Sequence, residues 1–285
     1  MYKTFYVIAD FFYKDFTGGA ELNDYSLIDQ FRRRGHEVVE VYCRDATPEF
    51  LEEKKDNHFI VANFVSLSET SKQYLIDNCE YVIYEHDHKY LKKRNPIFYK
   101  NFQAPETDLA NIDFFKNARA TICLTQLAYD VFKKNTKLEN VDKIGASVWR
   151  DEDLDYLLEL NSSLQKNEKA AIMDSDNPIK KRASCIQYCY SNNIKYDLIS
   201  DRDHKAFLRK LSEYEKLIFM TGHLETCCRI IVEAKMLSCD VITQKTLIGA
   251  CSEDWFNLDG PELIEEIRKI SNNSVDVFLR YFNEY

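Results

Sequence analysis

Short apolar runs alternate with helical periodicity twice along this chain, and that alternation limits its folds more than any single motif does. In the first series, "KTFYVIAD" (residues 3–10) is β-branched and aromatic, and the polar "FYKDFTGGAELND" (12–24) follows it. Leu22, Tyr25, Ile28 and Phe31 then recur at threes up to Gly35, before the apolar "HEVVEVYCR" (36–44). That is strand, glycine loop, helix, strand. "HFIVANFVSL" and "EYVIYEHD" continue as strands around the helix "SETSKQYLIDN", and "ARATICLT" and "VDKIGASVW" around the helix "QLAYDVFKKN". A second series begins near residue 168. "KAAIMDSD", "KYDLIS", "KLIFMTG" and "CDVIT" read as strands, and "PIKKRASCIQYCYSNN", "DHKAFLRKLSEY" and the stretch from Gly222 read as helices. Strands alternating with helices in two series predict an α/β chain of two doubly wound, Rossmann-like domains with a cleft between them.

The acidic, polar "RDEDLDYLLELNSSLQKNE" (150–168) reads as the crossing between them. The expected divisions are 1–150 for the first domain and 151–262 for the second. The helical segment 263–285 is expected to pack back on the first. A chain of 285 residues is long enough for this division.

The balance of residues excludes several classes. With 45% hydrophobic and 30% charged residues, the chain is neither disordered nor fibrous. The N-terminal run is cut by Asp10 and reads as a strand, not a signal peptide. No apolar stretch approaches the roughly 20 residues of a transmembrane segment. Nine cysteines at irregular spacing, with no CxxC pair, read as buried reduced thiols, which points to the cytoplasm. A formal net charge of −9 disfavours broad nonspecific binding to nucleic acid or anionic lipid, though it leaves room for a local basic patch.

Three stretches fall just after expected strands, where open α/β sheets bind ligands: "TGGAE", "EHDHKYLKKR" and "GHLET". Gly18 and Gly19 precede the first helix, where free N–H groups attract anions, but the spacing is not the dinucleotide fingerprint. They serve equally well as a plain strand-to-helix turn. His86, Asp87 and His88 follow the fourth strand, with Lys89, Lys92, Lys93 and Arg94 behind them. No third metal ligand accompanies the His-x-His pair. The basic run fits a solvated helical face, or it flanks an anionic acceptor while His86 or Asp87 touches substrate.

In "GHLETCCRIIVEAKMLSCDVIT" (222–243), Glu225 and Glu233 stand eight positions apart on an expected buried helix. Burying a carboxylate costs several kcal/mol unless it is paired or hydrogen-bonded. Eight helical positions rise about 12 Å, too far for two carboxylates to serve one scissile bond but suited to the two ends of one extended ligand. N–H groups at the helix start would face a diphosphate, and Arg229 would add charge. The bland alternative is two acids salt-bridged to neighbouring Lys or Arg.

These glutamates resemble the Glu–seven residues–Glu motif of retaining GT-B glycosyltransferases of the family 4 type. "GGAE" (18–21) is similar to the loop that opens many of them. "TLIGACSEDWF" stands where they carry a Gly-rich loop ending in Glu. The resemblance implies sugar transfer from a nucleotide sugar, a UDP-sugar first among donors, with retention of configuration and with neither cofactor nor metal. It implies that Glu225 contacts the donor sugar hydroxyls and Glu233 the ribose. His86 would stand near the reacting sugar, Gly19 near the diphosphate or acceptor, and Lys180 or Lys181 on a phosphate. Thr226 and Gly18 fall in the same donor-binding stretches. Two departures stand out. Cys228 replaces a usual glycine, and "MDSDNPIKK" lacks the usual Gly-Arg pair, leaving Arg182 or Arg229 as substitutes near Asp174 and Asp176.

"VIYEHDHKYLKKRNP" resembles segments of phage-encoded glycosyltransferases, some of which decorate hydroxymethylated DNA bases. Lys92, Lys93 and Arg94 are the expected acceptor-binding residues. A surface glycan and a modified DNA base both remain open as acceptors. Beside the transferase stand a non-catalytic nucleotide-sugar-binding module of the same fold and a sugar-nucleotide epimerase.

Overall fold

The computed structural model describes residues 3–15, 17–163 and 166–282. Two compact units make up the chain. One holds the residues up to Arg150 together with those from Ile270, and the other holds Asp151–Lys269.

The first unit is built on a parallel sheet of β1 (Phe5–Ala9), β2 (Val38–Tyr42), β3 (His58–Val61), β4 (Glu80–Tyr84), β5 (Thr121–Cys123) and β6 (Val141–Lys143). Its order is β2-β1-β3-β4-β5-β6. Every residue of β1 and β3 is buried, so these strands need cover on both faces. Helices α1 (Gly19–Arg33), α2 (Pro48–Lys54), α3 (Glu69–Asn78), α4 (Ile112–Asn117) and α5 (Gln126–Thr136) connect the strands. Their starts are chemically marked. Thr47, Ser68 and Thr125 accept hydrogen bonds from Phe50, Ser71 and Ala128 N–H groups at the starts of α2, α3 and α5.

The C-terminal segment is one helix, α10 (Gly260–Phe282). Its last turns contribute Phe278 and Phe282 to the first unit's core. The Phe282 ring lies 5.6 Å from Phe5, and Phe278 lies 5.2 Å from Tyr84. Ring pairs at these separations add specificity to the area they bury.

The second unit carries β7 (Asn167–Met173), β8 (Tyr196–Ile199), β9 (Tyr214–Phe219) and β10 (Asp240–Thr243), parallel and in the order β10-β9-β7-β8. Its helices are α6 (Asp151–Ser163), α7 (Arg182–Ser191), α8 (His204–Ser212) and α9 (Arg229–Met236). The sheets are therefore two Rossmann-like ones. In each, the first strand has its two successors on opposite sides. The strand order reverses between β1 and β3 and between β7 and β9, and ligands gather outside the carboxyl ends at such points.

Four local expectations give way. The acidic stretch expected to cross between domains is α6, whose Leu154, Leu157 and Leu160 are buried while Asp151, Glu152 and Asp153 sit in its first turn. The helix expected from Gly222 begins only at Arg229, because Glu225 is first tied in a parallel bridge to Ile248. Glu225 N–H donates to Leu247 O (2.9 Å), and Gly249 N–H donates to Glu225 O (2.8 Å). Eight positions of helix therefore do not separate the two glutamates. The helix expected from Pro178 begins at Arg182, because Lys181 adopts φ 46° and breaks the turn Pro178–Lys180 from α7. The basic run 89–94 is not a helical face; it is loop, paired at Leu91 with Leu109.

Among the described residues, no helix is long and apolar enough to cross a membrane. All nine cysteines are free.

Candidate functional site

In the second unit the residues of interest gather where β7 and β9 end. β9 runs out into Thr221, Gly222 and His223. Gly222 N–H donates to Ile179 O (2.7 Å), and its α-carbon packs so closely on the Lys181 side chain that a β-carbon would lie 2.6 Å from Cε. A side chain at this position would have to push the flexible end of Lys181 aside. The turn that follows β7 is thereby drawn against the one that follows β9. Lys180 Nζ reaches Glu225 Oε1 at 3.1 Å, and Thr221 Oγ1 lies 3.2 Å from the same oxygen. Oε2 of Glu225 has no hydrogen bond among the described residues. Burial presses the Lys180 ammonium toward neutrality, but the Glu225 carboxylate and the Cys228 sulfur outweigh it and raise its pKa. The result is a charged lysine held by a half-buried carboxylate at the strand-order reversal.

Cys228 opens α9 with φ 74°, a left-handed conformation that a residue with a β-carbon adopts at a cost. Its thiol is buried and pushed well up by desolvation and by Glu225, so it is inert rather than nucleophilic. Glu233, one turn into α9, is almost fully enclosed. Its Oε1 lies 3.2 Å from His204 Nε2 and 3.5 Å from Arg229 Nε. Thr226 is buried beside them in sequence. Both glutamates are thus salt-bridged, as the bland reading of their spacing anticipated, but Glu225 keeps one oxygen open and Glu233 does not stand exposed. Arg182, a candidate replacement for the absent arginine, is held by Asp174 and Asp176.

In the first unit, His86 stands two residues past the end of β4. Its Nε2 lies 2.7 Å from Asp24 Oδ1 on α1, and both side chains are buried. An aspartate in this position fixes the orientation of the imidazole. Asp87 is committed elsewhere. Lys89 Nζ approaches Oδ1 at 2.7 Å and Arg94 Nη1 approaches Oδ2 at 2.9 Å. Burial raises its pKa, but these cations prevail and hold it down at about 2, so it is a fixed anion and a poor proton acceptor. Arg94, expected to meet an acceptor, spends one guanidinium nitrogen on Asp87, while Lys92 and Lys93 are exposed. Gly18 caps α1 and Gly19 is its first residue, neither with positive φ, and no side chain caps that helix start. Glu21 in its first turn is buried, and desolvation raises its pKa.

The structure therefore brings Lys180, Lys181 and Glu225 together, and Arg229 with Glu233, in the second unit. It brings His86, Asp87 and Arg94 onto one loop of the first. Thr221, His204 and Asp24 are partners that sequence reasoning missed, and Lys89, which it placed in the basic run, pairs with Asp87 and Glu85. Thr221 was findable, since it ends the run "KLIFMT"; His204 and Asp24 carry no local signal. Among the described residues, no three His, Cys, Asp or Glu side chains form a metal-binding group.

The architecture defines a class: two Rossmann-like parallel sheets in one chain, the GT-B fold of glycosyltransferases. Solved structures that share it include sucrose-phosphate synthase from Thermosynechococcus elongatus, at TM-score 0.61 and 11% identity over 99% of both chains. HepE from Anabaena in complex with UDP and glucose matches at TM-score 0.55 and 14% identity, over 96% of this chain and 90% of that one. An alpha-glucosyltransferase in complex with UDP and a DNA 13-mer containing an HMU base matches at TM-score 0.52 and 12% identity, over 98% of this chain and 92% of that one. No family model and no curated protein sequence matches the chain.

Proposed function

We propose that the protein is a glycosyltransferase that moves a sugar from a nucleotide-sugar donor, a UDP-sugar first, to a hydroxyl acceptor with retention and without a metal. The observation that carries this reading is the Lys180–Glu225 pair at the carboxyl edge of the second sheet, 3.1 Å apart. Transfer develops positive charge on the sugar ring and negative charge on the departing diphosphate. A fixed ammonium at the diphosphate and a carboxylate oxygen on the sugar hydroxyls are stabilising where those charges appear. In this reading Glu225 Oε2 takes the donor hydroxyls, Lys180 and Lys181 take the phosphates, and Thr226 and Arg229 line the same stretch. Glu233 meets the ribose once His204 or Arg229 yields. Gly18 and Gly19 leave the α1 N-terminus open to an anion, and His86, oriented by Asp24, is the first unit's candidate for contact with substrate.

The fold neighbours agree with a UDP-linked donor: two of their structures contain UDP, one with glucose and one with DNA bearing a hydroxymethylated base. A glycan hydroxyl and a hydroxymethylated DNA base are the two acceptors the reading admits. Titration of UDP and UDP-glucose into the protein, followed by NMR of the product's anomeric proton, tests it. Inversion of the anomeric centre would contradict retention.

A second reading, a nucleotide-sugar-binding module without turnover, is favoured by three observations. Cys228 holds a left-handed conformation where a glycine would serve, Arg182 is neutralised by two aspartates, and Glu233 is enclosed. Tight UDP binding with no nucleoside diphosphate release would select it.

A further inference from the structure

One segment of the loop between β4 and α4 concentrates positive charge, with Glu85 and Asp87 before it and Glu106 and Asp108 after it. From His88 to Pro105 it carries Lys89, Lys92, Lys93, Arg94 and Lys100 and not one Asp or Glu, although the whole chain has a net charge of −9. Lys89 is buried in its pairing with Glu85 and Asp87, and Arg94 is tied to Asp87. Lys92, Lys93 and Lys100 are exposed and form no ion pair among the described residues. Glu106 and Asp108 follow the segment, and Asp108 accepts from the Tyr99 hydroxyl at 2.9 Å. Phe98 is 62% exposed, the only large hydrophobic side chain in the segment to stand so open, with Lys93 Nζ 5.8 Å from its ring centre.

The backbone beneath is fixed. Lys92 N–H donates to Asp108 O and Ala110 N–H to Tyr90 O, each at 2.9 Å. Asn135 of α5 donates to Phe102 O and accepts from Ala104 N–H, each at 2.8 Å, and Lys134 Nζ donates to Asn101 O. Of the ten non-glycine residues with positive φ among the described residues, four (His88, Arg94, Asn101 and Phe102) lie in this segment. Strain of this kind persists only where surroundings over-determine it, and it concentrates at functional sites. An irregular loop of this length is also a feature of binding segments rather than of plain connections.

We infer that this loop is a preformed nucleic-acid-binding surface, with Lys92, Lys93 and Lys100 meeting phosphates and Phe98 stacking on an unpaired base. Charge complementarity supplies the first half, since a cluster of exposed ammonium groups in an acidic protein recruits a polyanion locally. The exposed aromatic ring supplies the second, because every base offers a π-face to it. An anionic bilayer fits less well. It engages an amphipathic helix or several exposed apolar groups, whereas here one ring projects from a rigid loop. The inference deepens the glycosyltransferase reading by naming nucleic acid as the acceptor class, and it rests on that reading only for the transfer step.

Binding is tested apart from transfer. A fluorescein-labelled oligonucleotide, single-stranded and as a duplex, is titrated with the full chain across a salt series, with anionic phosphatidylserine vesicles in parallel. The expected result is salt-dependent binding of the single strand. Replacing Lys92 and Lys93 together by Glu then weakens binding by at least ~10-fold and flattens the salt slope by roughly two, one for each phosphate contact. Phe98→Ala weakens it about 5- to 100-fold and leaves the slope unchanged, as loss of stacking requires. Binding that these variants leave unaltered, vesicle binding alone, or no binding at low salt would overturn the inference. All three residues are exposed, and unchanged thermal unfolding of the variants confirms that their fold is intact. Sugar transfer to a glycan by a protein that binds no oligonucleotide sinks the inference and spares the transferase. Oligonucleotide binding with no nucleoside diphosphate released from any donor does the reverse.

Discussion

Lys180 Nζ and Glu225 Oε1 stand 3.1 Å apart, on the turns that follow β7 and β9, at the point where the second sheet reverses its strand order. The pair is half-buried and charged, and its second carboxylate oxygen is open. If the ammonium serves the departing diphosphate, Lys180→Ala lowers turnover by about 100- to 1000-fold, as loss of one preorganised charge does elsewhere. Glu225→Gln lowers turnover with little change in UDP affinity, since the sugar and not the nucleotide is its target. Steady-state rates beside UDP titrations separate the two. Wild-type activity in both variants removes the pair from the site.

The Lys180 pKa is raised in the folded protein by the Glu225 carboxylate against the opposing effect of burial. A raised folded-state value contributes stability below the unfolded value of 10.5 and loses it as pH climbs through the folded value. The expectation is a fall in thermal stability above about pH 10.5 that is smaller in Glu225→Gln than in wild type. A fall of the same size in both removes this pair as its source.

Glu233 poses a sharper choice. Its carboxylate is 3.2 Å from His204 and 3.5 Å from Arg229, and its side chain is almost wholly enclosed. Glu233→Leu leaves a buried guanidinium with its compensation reduced and destabilises the second unit by roughly 3–5 kcal/mol. Glu233→Gln keeps shape and a hydrogen bond, so its unfolding temperature stays near wild type. Loss of UDP affinity in the Gln variant at an unchanged unfolding temperature assigns Glu233 to the ribose. Wild-type affinity in that variant makes its role structural.

Cys228 holds φ 74° at the start of α9. Cys228→Gly removes the left-handed penalty and stabilises by about 1 kcal/mol, a rise of roughly 2–4 °C in unfolding temperature for a domain of ordinary size. If the side chain also blocks approach to Glu225, turnover rises with it. A lower unfolding temperature would contradict the strain argument.

Asp87 is held at about pKa 2, down from 3.8, because Lys89 and Arg94 outweigh the effect of its burial. A depressed carboxylate stabilises the fold above pH 3.8 and loses that contribution as pH falls through 2. Between those values the wild type is expected to lose at most about 2 kcal/mol through this group. Asp87→Asn, already without the charge, shows a flatter acid limb in thermal unfolding from pH 5 to 2. Parallel acid limbs for both proteins would contradict the pairing.

Much of this fold is legible in the chain because its strands are intrinsically marked: "FYVIA", "FIV" and "YVIY" are β-branched or aromatic and wholly buried. Helix α6 was obscured by its acids, although Leu154, Leu157 and Leu160 carry the period of three that buries them. The site was legible only in part. Glu225 and His86 announce themselves by following strands, whereas Lys180 was reached only through the family resemblance. Their partners do not: His204 reaches Glu233 from another helix, and Asp24 reaches His86 across 62 residues. The start of α9 was misplaced for a physical reason. Glu225 is pulled into a bridge with Ile248, a long-range backbone pairing that no local pattern in "HLETCC" records.

Release of nucleoside diphosphate by the wild-type protein tests the central claim most directly. UDP-, GDP- and ADP-sugars are each supplied alone, with hydroxymethylcytosine-containing DNA, and with a glycan pool. The expected result is release from a UDP-sugar that depends on one acceptor and is lost in Lys180→Ala. Release from no donor with any acceptor, by a protein that binds UDP tightly, would contradict catalysis and leave a binding module in its place.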